Sequence, residues 1–316
     1  KDITVEEILG YPENTISIPR EWNFKEVGGH GVTDQFAIGN KKIMDIYSDA
    51  IKHFKTYNNT HGILCHPETL MGYHLHCNKL KINRINLNMN ILIPMAGLGK
   101  RFKEAGYDKP KPLIDVLGQP MIQRVVNCLS AQHTDVNFIF IAQKQHMEIG
   151  LKEVIDPLGR TILLNEVTEG AACTTLLAKD LIDNENELII ANCDQYMKWD
   201  FDDFIANARK HDGCLATFNS TNPHHSYAKV KNSLVEKVAE KIVISDKASA
   251  GIYYFKNGSQ YVQAAEQMIN KNIRTNNEFY ICPAFNELIE KGFQVSIYNI
   301  DVMNKHMLGT PLELNI

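Results

Sequence analysis

Ile91-Leu92-Ile93-Pro94-Met95-Ala96-Gly97-Leu98-Gly99-Lys100-Arg101-Phe102 sets an apolar run directly against a Gly-x-Gly and two basic residues. The run predicts a strand at 91–94, and a loop leaving the carboxyl end of a parallel strand is where open α/β sheets bind ligands. Two glycines let the backbone approach a ligand closely, so that N–H groups can cradle anionic oxygens while Lys100 and Arg101 add positive charge. Taken alone, the segment reads equally well as a tight strand-to-helix turn. It is not a P-loop, since it lacks Gly-Lys-Ser/Thr at the right spacing. Nor is it a full dinucleotide fingerprint, because Phe102 stands where the third glycine belongs.

Outward from this loop, apolar runs alternate with amphipathic segments, the pattern of crossover units on a parallel sheet. A helix at 120–131 carries Ile122, Val125, Val126 and Leu129 on one face, a buried strand follows at 136–142, a helix at 171–181 and a third strand at 187–191. Further strands are expected at 213–219, 228–231, 234–238 and 251–255, then a helix at 283–291 stopped by Gly292 and a strand at 293–298. The expected fold is α/β, a Rossmann-like open, mostly parallel mixed sheet flanked by helices. The Asn-rich stretch 80–90 reads as a junction between an upstream region, 1–88, expected to be small and mainly helical, and a main domain, 89–316.

Composition narrows the class. The 316 residues carry 44% hydrophobic and 22% charged side chains with a net charge of −4, ordinary for a soluble globular protein and unlike a broad nucleic-acid binder. Seven cysteines stand singly at 65, 77, 128, 173, 193, 214 and 282, with no C-x-x-C pair, which suits a reducing cytoplasm. No apolar run reaches the roughly 18 residues that would span a bilayer, and no membrane association is expected. A homo-oligomer is left open.

Ten residues beyond the glycine loop, Lys109-Pro110-Lys111-Pro112-Leu113 holds two lysines in a segment stiffened by prolines. Lys111 could point at the same anion as the loop, or the segment could be a solvated connection. Asp194, in Ala191-Asn192-Cys193-Asp194-Gln195, follows a buried strand at its carboxyl end, where an aspartate is well placed to hold Mg²⁺. It could also simply open a loop.

The two segments together, Gly-Leu-Gly-Lys-Arg-Phe and Lys-Pro-Lys-Pro-Leu-Ile-Asp-Val-Leu-Gly-Gln-Pro-Met-Ile, resemble the signature of the sugar-phosphate nucleotidyltransferases, the nucleoside-diphosphate-sugar pyrophosphorylases. The resemblance covers Met89 to Ile316 and implies a nucleotidyltransferase fold, related to the GT-A type. It implies that Met95, Ala96, Gly97, Leu98, Gly99 and Lys100 form the nucleotide loop, and that Arg101 and Lys111 contact the triphosphate. Glu169-Gly170-Ala171-Ala172, at an expected helix start where it could also be an ordinary N-terminal cap, looks like the family's base- and substrate-binding turn, and Asp194 like its metal aspartate. Glu240-Lys241 before Gly251-Ile-Tyr-Tyr-Phe255 resembles the element whose lysine binds the acceptor's phosphate, although the two could also be a surface ion pair. Leu308-Gly309-Thr310-Pro311-Leu312-Glu313-Leu314 resembles the closing segment.

Two departures stand out. Lys100 occupies a position where many members have Ser or Thr. Many relatives also place a second metal-binding aspartate just before the final Gly-Thr-Pro, whereas here Met307 and Leu308 stand there and cannot ligate a hard cation. Glu278, crowded by asparagines, is the candidate for the second carboxylate, with Asp301 behind it.

The expected reaction is attack by an acceptor phosphate on the α-phosphorus of a nucleoside triphosphate, with pyrophosphate leaving. Mg²⁺ is the expected cofactor, a pyrimidine the favoured base, and a sugar 1-phosphate for glycan or capsule synthesis the expected acceptor. A phosphocholine-like acceptor and a noncatalytic nucleotide-binding module remain as alternatives. A dinucleotide-dependent oxidoreductase is disfavoured by Arg101-Phe102 and the Lys-Pro-Lys-Pro run. Upstream, residues 34–47 and 66–75 resemble the tail of glycosyltransferase-like capsule proteins, and no motif frames His61, His66, His74 and His76 as metal ligands.

Overall fold

In the computed structural model, residues 15–19, 81–85, 89–129 and 136–314 are described, and the chain divides into two units, Lys1–Leu87 and Asn88–Ile316. The described part of the first is a parallel pair, β1 (Thr15–Pro19) beside β2 (Lys81–Ile85), with Thr15 opposite Lys81 and Pro19 opposite Ile85. The expected upstream helices, the capsule-like stretches and the four histidines lie outside the described residues.

The second unit begins with β3 (Met89–Pro94), a two-residue hairpin of β4 (Asp115–Val116) and β5 (Gln119–Pro120), then β6 (Val136–Gln143) and β7 (Gly159–Leu164). It continues through β8 (Glu187–Ala191), the short β9 (Gln195–Met197), β10 (Gly213–Asn219), β11 (Ser226–Lys231) and β12 (Leu234–Glu240). It closes with β13 (Lys247–Phe255), β14 (Val295–Asn299) and β15 (Lys305–Met307). Among the described residues nine strands form the main sheet, in the order β12-β11-β13-β8-β3-β6-β7, with β10 pairing β13 and β14. Pairing directions leave β12 and β13 running against the other seven.

The central strands are apolar on both faces, which is why they read as continuous runs rather than alternations. Ile91, Ile93, Phe140 and Ile189 pack on one side with Ile122, Val125 and Val126 of the helix Met121–Cys128. Leu92, Ile139, Ile141, Leu188 and Ile190 pack on the other with Tyr261, Val262 and Met268 of the helix Gly258–Asn270. The expected helix at 171–181 is broken into Ala171–Leu176 and Lys179–Ile182. Thr174 and Thr175 turn their hydroxyls back to the carbonyls of Gly170 (3.1 Å) and Ala172 (2.7 Å), a habit that weakens a helix locally.

Register positions the site. β3 lies between β6 and β8, parallel to both, with Ile91 opposite Ile189 and Leu92 opposite Ile190. The chain therefore leaves β3 into the glycine loop beside the point where it leaves β8 toward Asp194.

Candidate active site

The glycine loop is anchored at its start and open at its tip. Met95 N–H donates to Ile141 O (2.9 Å), and the buried Gln143 amide donates to Ala96 O (2.8 Å), which turns that carbonyl inward. Met95 and Ala96 are buried, while Gly97 and Leu98 are exposed. Among the described residues, its two chain neighbours apart, no atom lies within 4 Å of where a Cβ on Gly97 would sit. Gly99 adopts φ 63, the left-handed conformation that glycine takes at no steric cost, and starts the helix Lys100–Glu104. Phe102 plugs the helix into the core, leaving Arg101 exposed on the cleft side.

The proline-stiffened segment folds as a 3-10 turn, Lys111–Leu113, with Pro110 at its N-cap and Leu113 N–H donating to Pro110 O (2.8 Å). Pro112 and Leu113 are buried, so the segment is not a solvated loop. Lys111 Nζ meets Asp194 Oδ2 at 2.5 Å, with both side chains mostly covered at 17% and 24% exposure. Burial pulls the Lys111 ammonium down, but Asp194, joined by Cys193 and Glu313, outweighs it and holds the group above its ordinary value.

A cleft of about 790 Å³ gathers much of the remainder. Of the residues singled out from sequence, Arg101, Lys111, Ala171, Asp194 and Lys241 line it. Residues 95–100, Glu169, Gly170, Ala172 and Glu278 do not, although Gly99 packs directly on Lys111, whose Cβ is 3.6 Å from the position of an added Cβ. The turn 169–172 is stitched to Phe279: Phe279 N–H donates to Glu169 O (2.9 Å) and Ala172 N–H to Phe279 O (3.0 Å). Gly170 has φ 138, and a Cβ there would fall 2.4 Å from Phe279 O, so only glycine allows this approach. Glu169 itself accepts from Arg274 (2.6 Å) at an exposed edge.

Lys241 donates to the Tyr280 hydroxyl, and its ammonium lies 4.3 Å from that ring's centroid. Tyr280 in turn donates to Glu278 Oε2 (2.6 Å). Glu278 is thus tied to Tyr280 and through it to Lys241, and no contact joins it to Asp194 among the described residues. Beside Lys241, Glu240 is buried and accepts from Ser226; burial raises its carboxyl above the usual range.

Residues 91–294 match the nucleotidyl transferase family. The chain belongs to that family. Among similar proteins, the bifunctional protein GlmU of Thermodesulfovibrio yellowstonii is 26% identical over 246 residues, 72% of this chain and 51% of that one. The probable mannose-1-phosphate guanylyltransferase 3 of Oryza sativa subsp. japonica is 30% identical over 179 residues, 52% of this chain and 49% of its own. This chain spans about half the length of the curated relatives it matches. A solved nucleoside-diphosphate-sugar pyrophosphorylase from Vibrio cholerae RC9 is 30% identical with a TM-score of 0.64, covering 71% of this chain and 97% of that one. An inositol-1-phosphate CTP transferase from T. maritima shares the fold, at a TM-score of 0.57 and 14% identity. No helix among the described residues is long and apolar enough to cross a membrane.

Three residues of this nucleotidyl transferase cleft region were given no role by the sequence reading. Gln143 ends β6 and reads locally as a polar residue closing a strand; only the tertiary fold turns it onto the loop. Lys305, on β15, is buried with its ammonium 3.6 Å from the Phe218 ring centroid. Burial pushes it down to about 8, against the opposing pull of Asp194 and Glu313. Glu313 lines the cleft, and its buried Oε2 has no hydrogen-bond partner among the described residues.

Nucleotidyl transferases generally work with a divalent cation, and the donors here fit one. Asp194 and Glu313 carry hard oxygens of the kind a divalent cation such as Mg²⁺ prefers, and Glu313 Oε2 has no hydrogen-bond partner among the described residues. No three His, Cys, Asp or Glu side chains cluster into a metal cage among the described residues. None is needed, because Mg²⁺ commonly binds through one or two carboxylates plus substrate phosphates.

Proposed function

We propose that the unit Asn88–Ile316 transfers a nucleoside monophosphate from a nucleoside triphosphate to a phosphorylated small-molecule acceptor, releasing pyrophosphate. The observation that carries this reading is the convergence of Arg101, Lys111, Asp194 and Lys241 on one cleft, at the carboxyl ends of β3 and β8. Phosphoryl-type transfer needs positioning and charge neutralisation rather than a covalent intermediate, and a phosphate nucleophile needs no general base at neutral pH. Arg101 and Lys111 hold the triphosphate, while Lys241, steadied by Tyr280, holds the attacking phosphate. When bound at Asp194, Mg²⁺ supplies charge neutralisation at the α-phosphate.

For the acceptor we favour a sugar 1-phosphate over a quaternary-ammonium phosphate such as phosphocholine. The cleft around Gly251 is lined by hydrogen-bonding groups, Asn192, Ser249 and the Glu240 carboxylate, which suit hydroxyl donors. A quaternary ammonium asks for open aromatic faces, yet the Tyr280 face is taken by Lys241 and Tyr253 is buried. A pyrimidine base, a cytoplasmic setting and a role in glycan or capsule precursor synthesis complete the proposal on the motif resemblance alone. A pyrophosphate-release screen crossing the four nucleoside triphosphates with hexose 1-phosphates and phosphocholine tests it. We expect Mg²⁺-dependent release with a pyrimidine nucleotide and a hexose 1-phosphate. Tight nucleotide binding with no release under any pair would show a noncatalytic module instead.

Gly97 tests the loop separately. Neither a positive φ nor a packed neighbour requires glycine there, so the reading assigns its small size to close backbone approach by the triphosphate. Gly97→Ala is expected to keep the wild-type melting temperature and to raise the KM for nucleotide about tenfold, the scale of losing roughly 1.4 kcal/mol of binding. An unchanged KM would assign the loop no more than a turn.

A further inference from the structure

We infer that Glu313 is the second carboxylate of the divalent-cation site, taking over in this chain from the aspartate missing before Gly309-Thr310-Pro311. The inference rests on the transferase reading above and deepens it.

Three observations meet at one place. Asp194 Oδ2 and Glu313 Oε2 each lie 3.3 Å from the point that a Cβ on Gly309 would occupy, so the two carboxylates flank the same glycine from within the cleft. Glu313 Oε2 is buried with no hydrogen-bond partner among the described residues, and a carboxylate oxygen shut away from both water and donors is costly unless something else satisfies it. The backbone then fixes the pair. Leu308 N–H donates to Asp194 O (2.9 Å), Leu308 is fully buried, and Glu313 N–H donates to Thr310 O (3.1 Å) in the 3-10 turn Pro311–Leu314.

Position 307 lies on β15, paired with Gln195 of β9, one residue beyond Asp194. Glu313 comes from the following turn and reaches back over Gly309 on its longer side chain. Glu278 shows no such geometry: among the described residues no contact joins it to Asp194, and its carboxylate accepts from Tyr280.

The competing role for Glu313 is that of a plain counter-ion to the nearby Lys111, Lys305 and His225. A counter-ion needs charge; a metal ligand needs charge at a fixed distance. The test is Mn²⁺ binding to the full chain, read from the loss of the free-ion EPR signal, alongside pyrophosphate release and melting temperature. Asp194→Asn is expected to abolish Mn²⁺ binding, and Glu313→Gln to weaken it tenfold or more. Glu313→Asp, which keeps the charge and shortens the reach, is expected to weaken binding nearly as much. Should Glu313→Gln fold poorly, the aspartate variant carries the decision.

Glu313→Asp or Glu313→Gln binding Mn²⁺ like the wild type, with Asp194→Asn unable to bind, would overturn the role of Glu313 and leave the transferase reading standing. A wild-type chain that neither binds Mn²⁺ nor releases pyrophosphate would overturn both.

Discussion

Replacing Asp194 with asparagine is expected to lower kcat/KM about a thousandfold, the scale on which one preorganised electrostatic contact at a reacting phosphate matters. The asparagine keeps the side chain's shape, so the loss reports on charge rather than packing. Its effect on stability is separate and has a definite pH dependence. In the wild type the Lys111 ammonium is held above its ordinary value of 10.5 by Asp194, so the pair's stabilisation is present at neutral pH and lost only as pH rises through that raised value. Without the Asp194 charge, burial acts on Lys111 with less opposition and its pKa falls. The variant's melting temperature should then decline toward neutral pH, where the ammonium must stay charged, and recover as pH rises toward 10.5 and the group sheds its proton. Near-wild-type activity in Asp194→Asn would remove Asp194 from the chemistry.

Lys111→Met is expected to separate binding of the cation from turnover. Methionine preserves much of the stem's volume beside Phe102 and removes the ammonium, so the fold should hold. Lys111 Nζ lies 2.5 Å from Asp194 Oδ2, so any cation bound there must compete with it. Removing the ammonium should therefore tighten Mn²⁺ binding while kcat/KM falls about a hundredfold, because the triphosphate loses its buried cation. A purely structural ion pair predicts the reverse pattern, with a lower melting temperature and little change in turnover. Measuring both quantities on one preparation decides between them.

Much of the fold was legible in the sequence, for reasons that can be named. β3, β6, β8, β10 and β13 are buried along most of their length, and burial demands uninterrupted apolar side chains whatever else the chain does. The β11–β12 hairpin announces itself through Asn232-Ser233, both at positive φ in its two-residue turn. β7 escaped notice because, at the sheet's edge, it is only half covered, and Gly159-Arg-Thr-Ile-Leu-Leu164 need not alternate cleanly. The helix Gly258–Asn270 was missed because alanines 264 and 265 make up part of its buried face, and alanine carries little hydrophobic signal. The helix Phe201–Ala208 had a readable start in Asp200, whose side chain accepts from Asp203 N–H (3.0 Å).

The residues proposed for catalysis divide along the same line. Arg101, Lys111, Asp194 and Lys241 could be singled out because each sits in a short local pattern, and a local pattern is what a sequence displays. The sequence by itself determined the parallel core, the glycine loop at its carboxyl edge and the absence of an aspartate before Gly309. Only the tertiary structure decided that Lys111 and Asp194, 83 residues apart, would meet as an ion pair, that Gln143 would hold the loop, and that Glu313 would lie across Gly309 from Asp194. These contacts join segments brought together by sheet register and the closing turn, and no spacing along the chain encodes the distance between two side chains that meet only once the core has packed.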